Sequence, residues 1–271
     1  MDVFVGSKPV IMAVVNLTPD SFSDGGQFKD VDDVWRYIED CFQQGADIID
    51  VGAESTRPGS DGVDVAEEWN RLEPIVSEFK KRFDGSLSID TSKAEIARRC
   101  LECAADMIND VTALDGDVGM LHVLAEFKPA VCLMHMQGTP RSMQQEPAYV
   151  DVIDDVYTFL EEKIQLCRQQ GLTSIVVDPG IGFGKTLEHN VALLRHLGRF
   201  KSLNCPIMVG TSRKSFINAL SESSVDQRLG GTIASNLLAW QQGARVFRVH
   251  DVQAIHQAFQ VAQAIEEGVH V

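Results

Sequence analysis

Residues 174–185 read Ser-Ile-Val-Val-Asp-Pro-Gly-Ile-Gly-Phe-Gly-Lys, or SIVVDPGIGFGK. Four residues suited to a buried strand, Ser174 to Val177, run straight into Asp178, then Pro179 and three glycines in alternate positions. A carboxylate at the end of an apolar strand is costly to bury without a partner, so Asp178 calls for one. The loop that follows carries few side chains, so a ligand can come close to its backbone. The pattern is a strand that ends in a ligand-binding acid. Two phosphate motifs are near misses here. A P-loop needs its first glycine where Pro179 stands, and a dinucleotide fingerprint needs its third where Lys185 stands.

Working outward, short apolar runs of the same kind recur eight times, each followed by a longer run of helical period. The strand candidates are 10–16, 47–52, 86–91, 107–111, 130–135, 174–178, 206–212 and 246–250. Near-continuous apolar strands suit a parallel sheet covered on both faces. The clearest helix spans 150–170, with Ile153, Val156, Leu160, Ile164 and Cys167 at spacings of three and four; another spans 251–267. Eight strand–helix units in 271 residues predict one domain over 1–271, an α/β protein folded as a (β/α)8 TIM barrel. An open doubly wound sheet would carry a Gly-rich turn after its first strand. Here that turn is the long polar NLTPDSFSDGG of 16–26.

In such a barrel all strand ends share one face, where the active site lies. The ends are Asn16, Gly52 with Glu54, Asp90, Asn109, His135, Asp178, Ser212 with Arg213 and Lys214, and Arg248 with His250. Asp90, Asn109, Asp178 and Lys214 form a set of acceptors and donors suited to the edge of a flat heterocycle. Arg57, Arg213, Lys214, Arg248 and His250 are a basic cluster for an anion, beside the phosphate region common after strands seven and eight. The loops 16–26 and 54–60 read as lids. The net charge of −15 argues against a nucleic-acid partner, and no apolar run reaches the length of a membrane span. The N-terminus has no signal-peptide pattern, and the six scattered cysteines read as reduced core residues of a cytoplasmic protein. Cys100 and Cys103 form a lone C-x-x-C without the second pair that a zinc site needs.

NLTPDSFSDGG, DVGAESTRPGS, SIDTSK, INDVTAL, DPGIGFGK, GTSRKSF, RLGGT and RVHDV, in this order, closely resemble the dihydropteroate synthase family over residues 10–252. The resemblance implies joining of 6-hydroxymethyl-7,8-dihydropterin diphosphate to p-aminobenzoate, giving 7,8-dihydropteroate and pyrophosphate. It implies that Asp90, Asn109, Asp178 and Lys214 hold the pterin, and that Asp90, Asp178 and Lys214 carry the catalysis. Asn16 would coordinate Mg2+ on the diphosphate, and Asn16, Thr56, Arg57, Arg248 and His250 would hold the pyrophosphate. Phe22, Thr56, Arg57, Pro58, Phe183, Lys214 and Ser215 would surround p-aminobenzoate. The resemblance further implies a homodimer and a sulfonamide target. A pterin-binding methyltransferase shares the barrel and the pterin acids, but the 16–26 and SRKSF loops are not expected in it.

Overall fold

The computed structural model describes residues 4, 6, 8–18, 28–55, 60, 62–139 and 141–268. Eight parallel strands close into a barrel in sequence order. They are β1 (Val10–Asn16), β2 (Ile48–Gly52), β3 (Ser86–Asp90), β4 (Met107–Asp110), β5 (Ala130–Met134), β6 (Ile175–Asp178), β7 (Ile207–Val209) and β8 (Ala244–Val249). The α-helices among the described residues are α1 (Val31–Gln43), α2 (Val65–Arg82), α3 (Ala94–Glu102), α4 (Met120–Phe127), α5 (Val152–Gln169), α6 (Leu187–Arg195), α7 (Ser215–Leu220), α8 (Leu229–Gln241) and α9 (Val252–Glu267). All eight expected strands are present. The seventh is shorter than its apolar run, because Gly210 to Lys214 leave the sheet to build the rim.

Strand side chains alternate between the two faces of the wall, and the sequence uses that alternation twice. Outward residues such as Ile49, Val51, Ile89, Val131, Leu133 and Val177 join the helices in the larger core. Inward residues Val10, Met12, Ile48, Met107, Cys132, Val176, Met208 and Val246 form a second apolar cluster inside the barrel, with Phe4 packed against it. Two residues further along, the inward positions change character: Val14, Asp50, Asn109, Met134, Asp178, Gly210 and Arg248. The barrel is therefore an apolar plug with a polar layer above it, at the face where the strands end and the helices begin. Aspartates fix several of those helix starts. Asp30 accepts from the Asp33 amide at 2.9 Å, Asp64 from Glu67 at 2.8 Å and Asp151 from Ile153 at 2.8 Å.

Candidate active site

The polar layer opens into a cavity with walls that include Val14, Val111, Met134, Met208 and Phe183. Its polar lining is Asp90, Asn109, Asp178, Ser212, Lys214, Arg248 and His250. Seven strand-end groups read from the sequence thus meet in one place. Asp178 is buried, and its Oδ1 accepts the Gly180 amide at 2.7 Å. Burial pushes its carboxyl up, against the pull of Lys214, the Gly180 amide, Lys185 and Arg248. The Lys214 ammonium bonds the Ile181 carbonyl and lies 4.5 Å from the centre of the Phe183 ring. Desolvation brings Lys214 down to about 8 even though Asp178 opposes it.

Asp50 is the residue that the sequence reading missed. It lies fully buried beneath the cavity, in the middle of β2. Its Oδ2 accepts from Arg248 Nε at 2.6 Å and from Asn109 Nδ2 at 3.1 Å, and Arg248 Nη2 reaches Asp90 Oδ2 at 2.8 Å. Desolvation opposes charge on Arg248, but Asp50 and Asp90 outweigh it and hold the guanidinium above its ordinary range. Burial lifts Asp90 to about 7 in spite of Arg248. Because a carboxylate facing Asn109 can only accept, Asp50 settles which way the amide points. Asn109 Oδ1 is left buried with no protein partner, an acceptor for a ligand donor. An acid inside an otherwise apolar strand was the available signal, IIDVG at 48–52.

Other rim residues go elsewhere. His135 follows the inward Met134 and so faces outward: its ring packs on Phe159, its Nδ1 lies 3.0 Å from Lys185 Nζ, and it does not line the cavity. Arg213, expected in the anion cluster, pairs with Asp251 through two nitrogens instead. Glu54 and the buried Glu68 share Lys93, outside the cavity. His250 meets Ser212 Oγ through its amide at 3.2 Å and Nδ1 at 3.1 Å, which joins the ends of the seventh and eighth strands. Asn16 stands half-buried at the end of β1, two residues above Val14. Ser215 opens α7 and is exposed. Phe22, Thr56, Arg57 and Pro58 lie outside the described residues. The six cysteines are free, and no group of His, Cys, Asp and Glu among the described residues could hold a metal unaided.

Buried acids, an oriented amide and cations gathered at the strand ends of a closed eight-stranded barrel make a polar cavity of the kind a barrel enzyme uses as its active site. The family described as pterin binding enzyme matches residues 12–250, so the whole polar layer falls within it. The dihydropteroate synthase of Escherichia coli is 44 % identical over 260 residues, which are 95 % of this chain and 92 % of that protein. Among solved structures, Yersinia pestis dihydropteroate synthase with a sulfonamide drug complex has a TM-score of 0.92 at 39 % identity, covering 99 % of this chain and 97 % of that one. The Xanthomonas albilineans dihydropteroate synthase in complex with 7,8-dihydropteroate has a TM-score of 0.86 at 38 % identity, covering 97 % and 95 %. The chain belongs to the dihydropteroate synthase family, the transferases of folate biosynthesis that join a pterin to p-aminobenzoate.

Proposed function

We propose that the cavity binds 6-hydroxymethyl-7,8-dihydropterin diphosphate with its ring in the polar layer and transfers the pterin to p-aminobenzoate. The observation that carries this is the Asp50–Asn109–Asp178 set, which offers a planar ligand one fixed amide acceptor and a buried carboxylate in the same cavity. Asp90, Asn109, Asp178 and Lys214 hold the pterin. Arg248 and His250 with Asn16, Thr56 and Arg57 serve the pyrophosphate. Phe22, Thr56, Arg57, Pro58, Phe183, Lys214 and Ser215 form the p-aminobenzoate subsite. The 7,8-dihydropteroate held by the Xanthomonas relative contains both halves of that product, which supports one joint site. By the same relation this chain is a sulfonamide target, as the drug complex of the Yersinia relative supports.

In the transfer the methylene C–O bond breaks, its electron pair leaves with pyrophosphate, and the pterin is left with a carbocation beside an electron-rich ring. The p-aminobenzoate nitrogen then forms the new C–N bond and loses a proton. Asp178 and Asp90 offset the positive charge that develops on the ring, and the cations above them favour the leaving anion. Asn16 offers one hard oxygen, which fits a Mg2+ that takes its remaining ligands from phosphate and water. When bound, that ion would neutralise charge on the leaving pyrophosphate. Pyrophosphate release that requires p-aminobenzoate tests the function, and release without the amine would contradict it. EDTA is expected to abolish turnover and leave binding of a phosphate-free pterin unchanged. A loss of both would remove Mg2+ from the diphosphate.

Protonation sets a further expectation. Asp90, lifted to about 7, must lose its proton to accept on both oxygens with a full charge; Lys214, lowered to about 8, must keep its proton to donate as a cation. Affinity for a phosphate-free pterin should therefore peak between these values and fall on both sides, read by calorimetry from pH 5.5 to 9.5. A flat profile would refute the assignment. We also assign a homodimer and a cytoplasmic location. Six of the eleven exposed large hydrophobics among the described residues, Leu220, Val225, Leu229, Leu238, Val261 and Ile265, lie between residues 220 and 265, which supports a partner on that side. Sedimentation at the mass of one chain would rule the dimer out. Six free cysteines, four of them buried, and no helix among the described residues long and apolar enough to cross a membrane agree with the location.

A further inference from the structure

Four successive carbonyls of the loop after β6 are met by side chains. Lys214 bonds that of Ile181, and Gln144 bonds that of Gly182 at 2.9 Å. Lys185 bonds that of Phe183 at 2.8 Å, and Tyr149 that of Gly184 at 2.7 Å. Only Lys214 lines the cavity; Gln144, Tyr149 and Lys185 do not. Lys185 is the unusual member. It is 3 % exposed, yet no carboxylate among the described residues pairs with it; its other contacts are His135 Nδ1 at 3.0 Å and the His135 carbonyl at 3.3 Å. Burial and Lys185 itself keep the His135 ring neutral, with its value near 3, so Nδ1 can accept from the lysine in the tautomer that carries its proton on Nε2. Burial brings Lys185 down to about 7, although Asp178 pulls the other way, and its hydrogen bonds go to carbonyls and a neutral ring. A lysine placed so is costly, and its place in the fold calls for a task.

The loop is also pressed onto the end of β5. A Cβ on Gly180, where φ is +71°, would stand 1.9 Å from the His135 carbonyl oxygen, and one on Gly184 2.5 Å from that of Gln137. Seated this way, the loop presents the Phe183 ring to the cavity above Lys214. We propose that Lys185, Tyr149 and Gln144 are positioning residues, which hold this loop as a preset platform and so fix the Phe183 ring against p-aminobenzoate. The inference rests on the assignment of Phe183 to that substrate. None of the three touches a reacting atom. They act through the loop backbone, where a displacement of about 1 Å is enough to change turnover strongly.

Steady-state kinetics of the full chain with both substrates varied separates the two ideas. Phe183→Ala is expected to raise KM for p-aminobenzoate about tenfold. Lys185→Met should raise it by a similar factor, with KM for the pterin diphosphate within about twofold and the far-UV spectrum unchanged. Lys185→Arg, which keeps a donor and the charge, should recover most of the loss. Tyr149→Phe, isosteric and lacking one bond, should raise the same KM about threefold. Lys185→Met should add little in the Phe183→Ala background, because both changes act through one ring. If Phe183→Ala leaves KM for p-aminobenzoate unchanged, the substrate assignment fails. If Phe183→Ala raises it while Lys185→Met and Tyr149→Phe do not, the platform inference is overturned and the assignment stands. Should Lys185→Met not fold, Tyr149→Phe decides by the same criterion.

Discussion

Asp178→Asn should lower pterin affinity about a hundredfold at neutral pH without lowering the melting temperature. The affinity term follows from chemistry at one atom pair. An ionised carboxylate accepts on both oxygens, whereas a carboxamide turns one of them into a donor. Asparagine can still accept the Gly180 amide through its oxygen, which Asp178 Oδ1 now does at 2.7 Å. Its NH2 then faces the ligand where the ring offers N–H groups, so a charged hydrogen bond is exchanged for a clash of donors. Charged bonds contribute about 1.5–3 kcal/mol, and 2.7 kcal/mol is roughly a hundredfold in affinity. The stability term has the opposite sign. The carboxyl of Asp178 is raised in the folded protein by burial, so the folded state holds its proton more tightly than the unfolded chain. Ionised Asp178 therefore costs stability, increasingly so as pH rises above the ordinary carboxylate value, and a neutral replacement removes that cost. Calorimetry with a pterin and a thermal melt on the same sample read both. Unchanged pterin binding would sink the role of Asp178.

Arg248→Ala is expected to be the most destabilising substitution in the site, by about 3–5 kcal/mol, because it strands two buried acids rather than one. Asp50 and Asp90 both bond its guanidinium, at 2.6 and 2.8 Å, and Asp50 is fully buried with its second oxygen already lacking a partner. In a chain of this size that corresponds to a fall in melting temperature on the order of 10 °C. Asp50→Asn in the same chain should return part of the loss, since it removes one stranded charge; strictly additive losses would contradict the network. Pterin affinity should fall along with pyrophosphate affinity, because Arg248 also anchors Asp50, which orients the Asn109 amide. The position of Arg248 on β8 suits it to an anion at the rim, and its partners give it a second task below.

Much of this arrangement was legible in the residues. Asp178 could be read as a strand-end acid because four apolar residues lead into it and a glycine loop leaves it. The same reading found Asp90, Asn109, Lys214, Arg248 and His250, all of which line one cavity. It failed at His135 for a definite reason. In a wall with side chains on alternate faces, one step in register moves a residue from the site to the helix layer. Met134 takes the inward place, so His135 meets Phe159 instead. Arg213 was misread in a similar way, since its charge was visible in the sequence and its partner Asp251 was not.

The sequence by itself determined the eight-fold alternation, the direction of the strands and the identity of the groups at their ends, because these depend on local period and on order along the chain. Only the tertiary structure decided which of those groups face each other. Asp50 and Arg248 are 198 residues apart and meet because the barrel closes strand eight against strand one, beside strand two. Lys185 and His135 are 50 apart and meet outside the wall because a glycine lets the β6 loop lie on the end of β5. Burial, which decides whether a charge is a surface ornament or the anchor of a site, is set by that closure and not by any residue's neighbours in the chain.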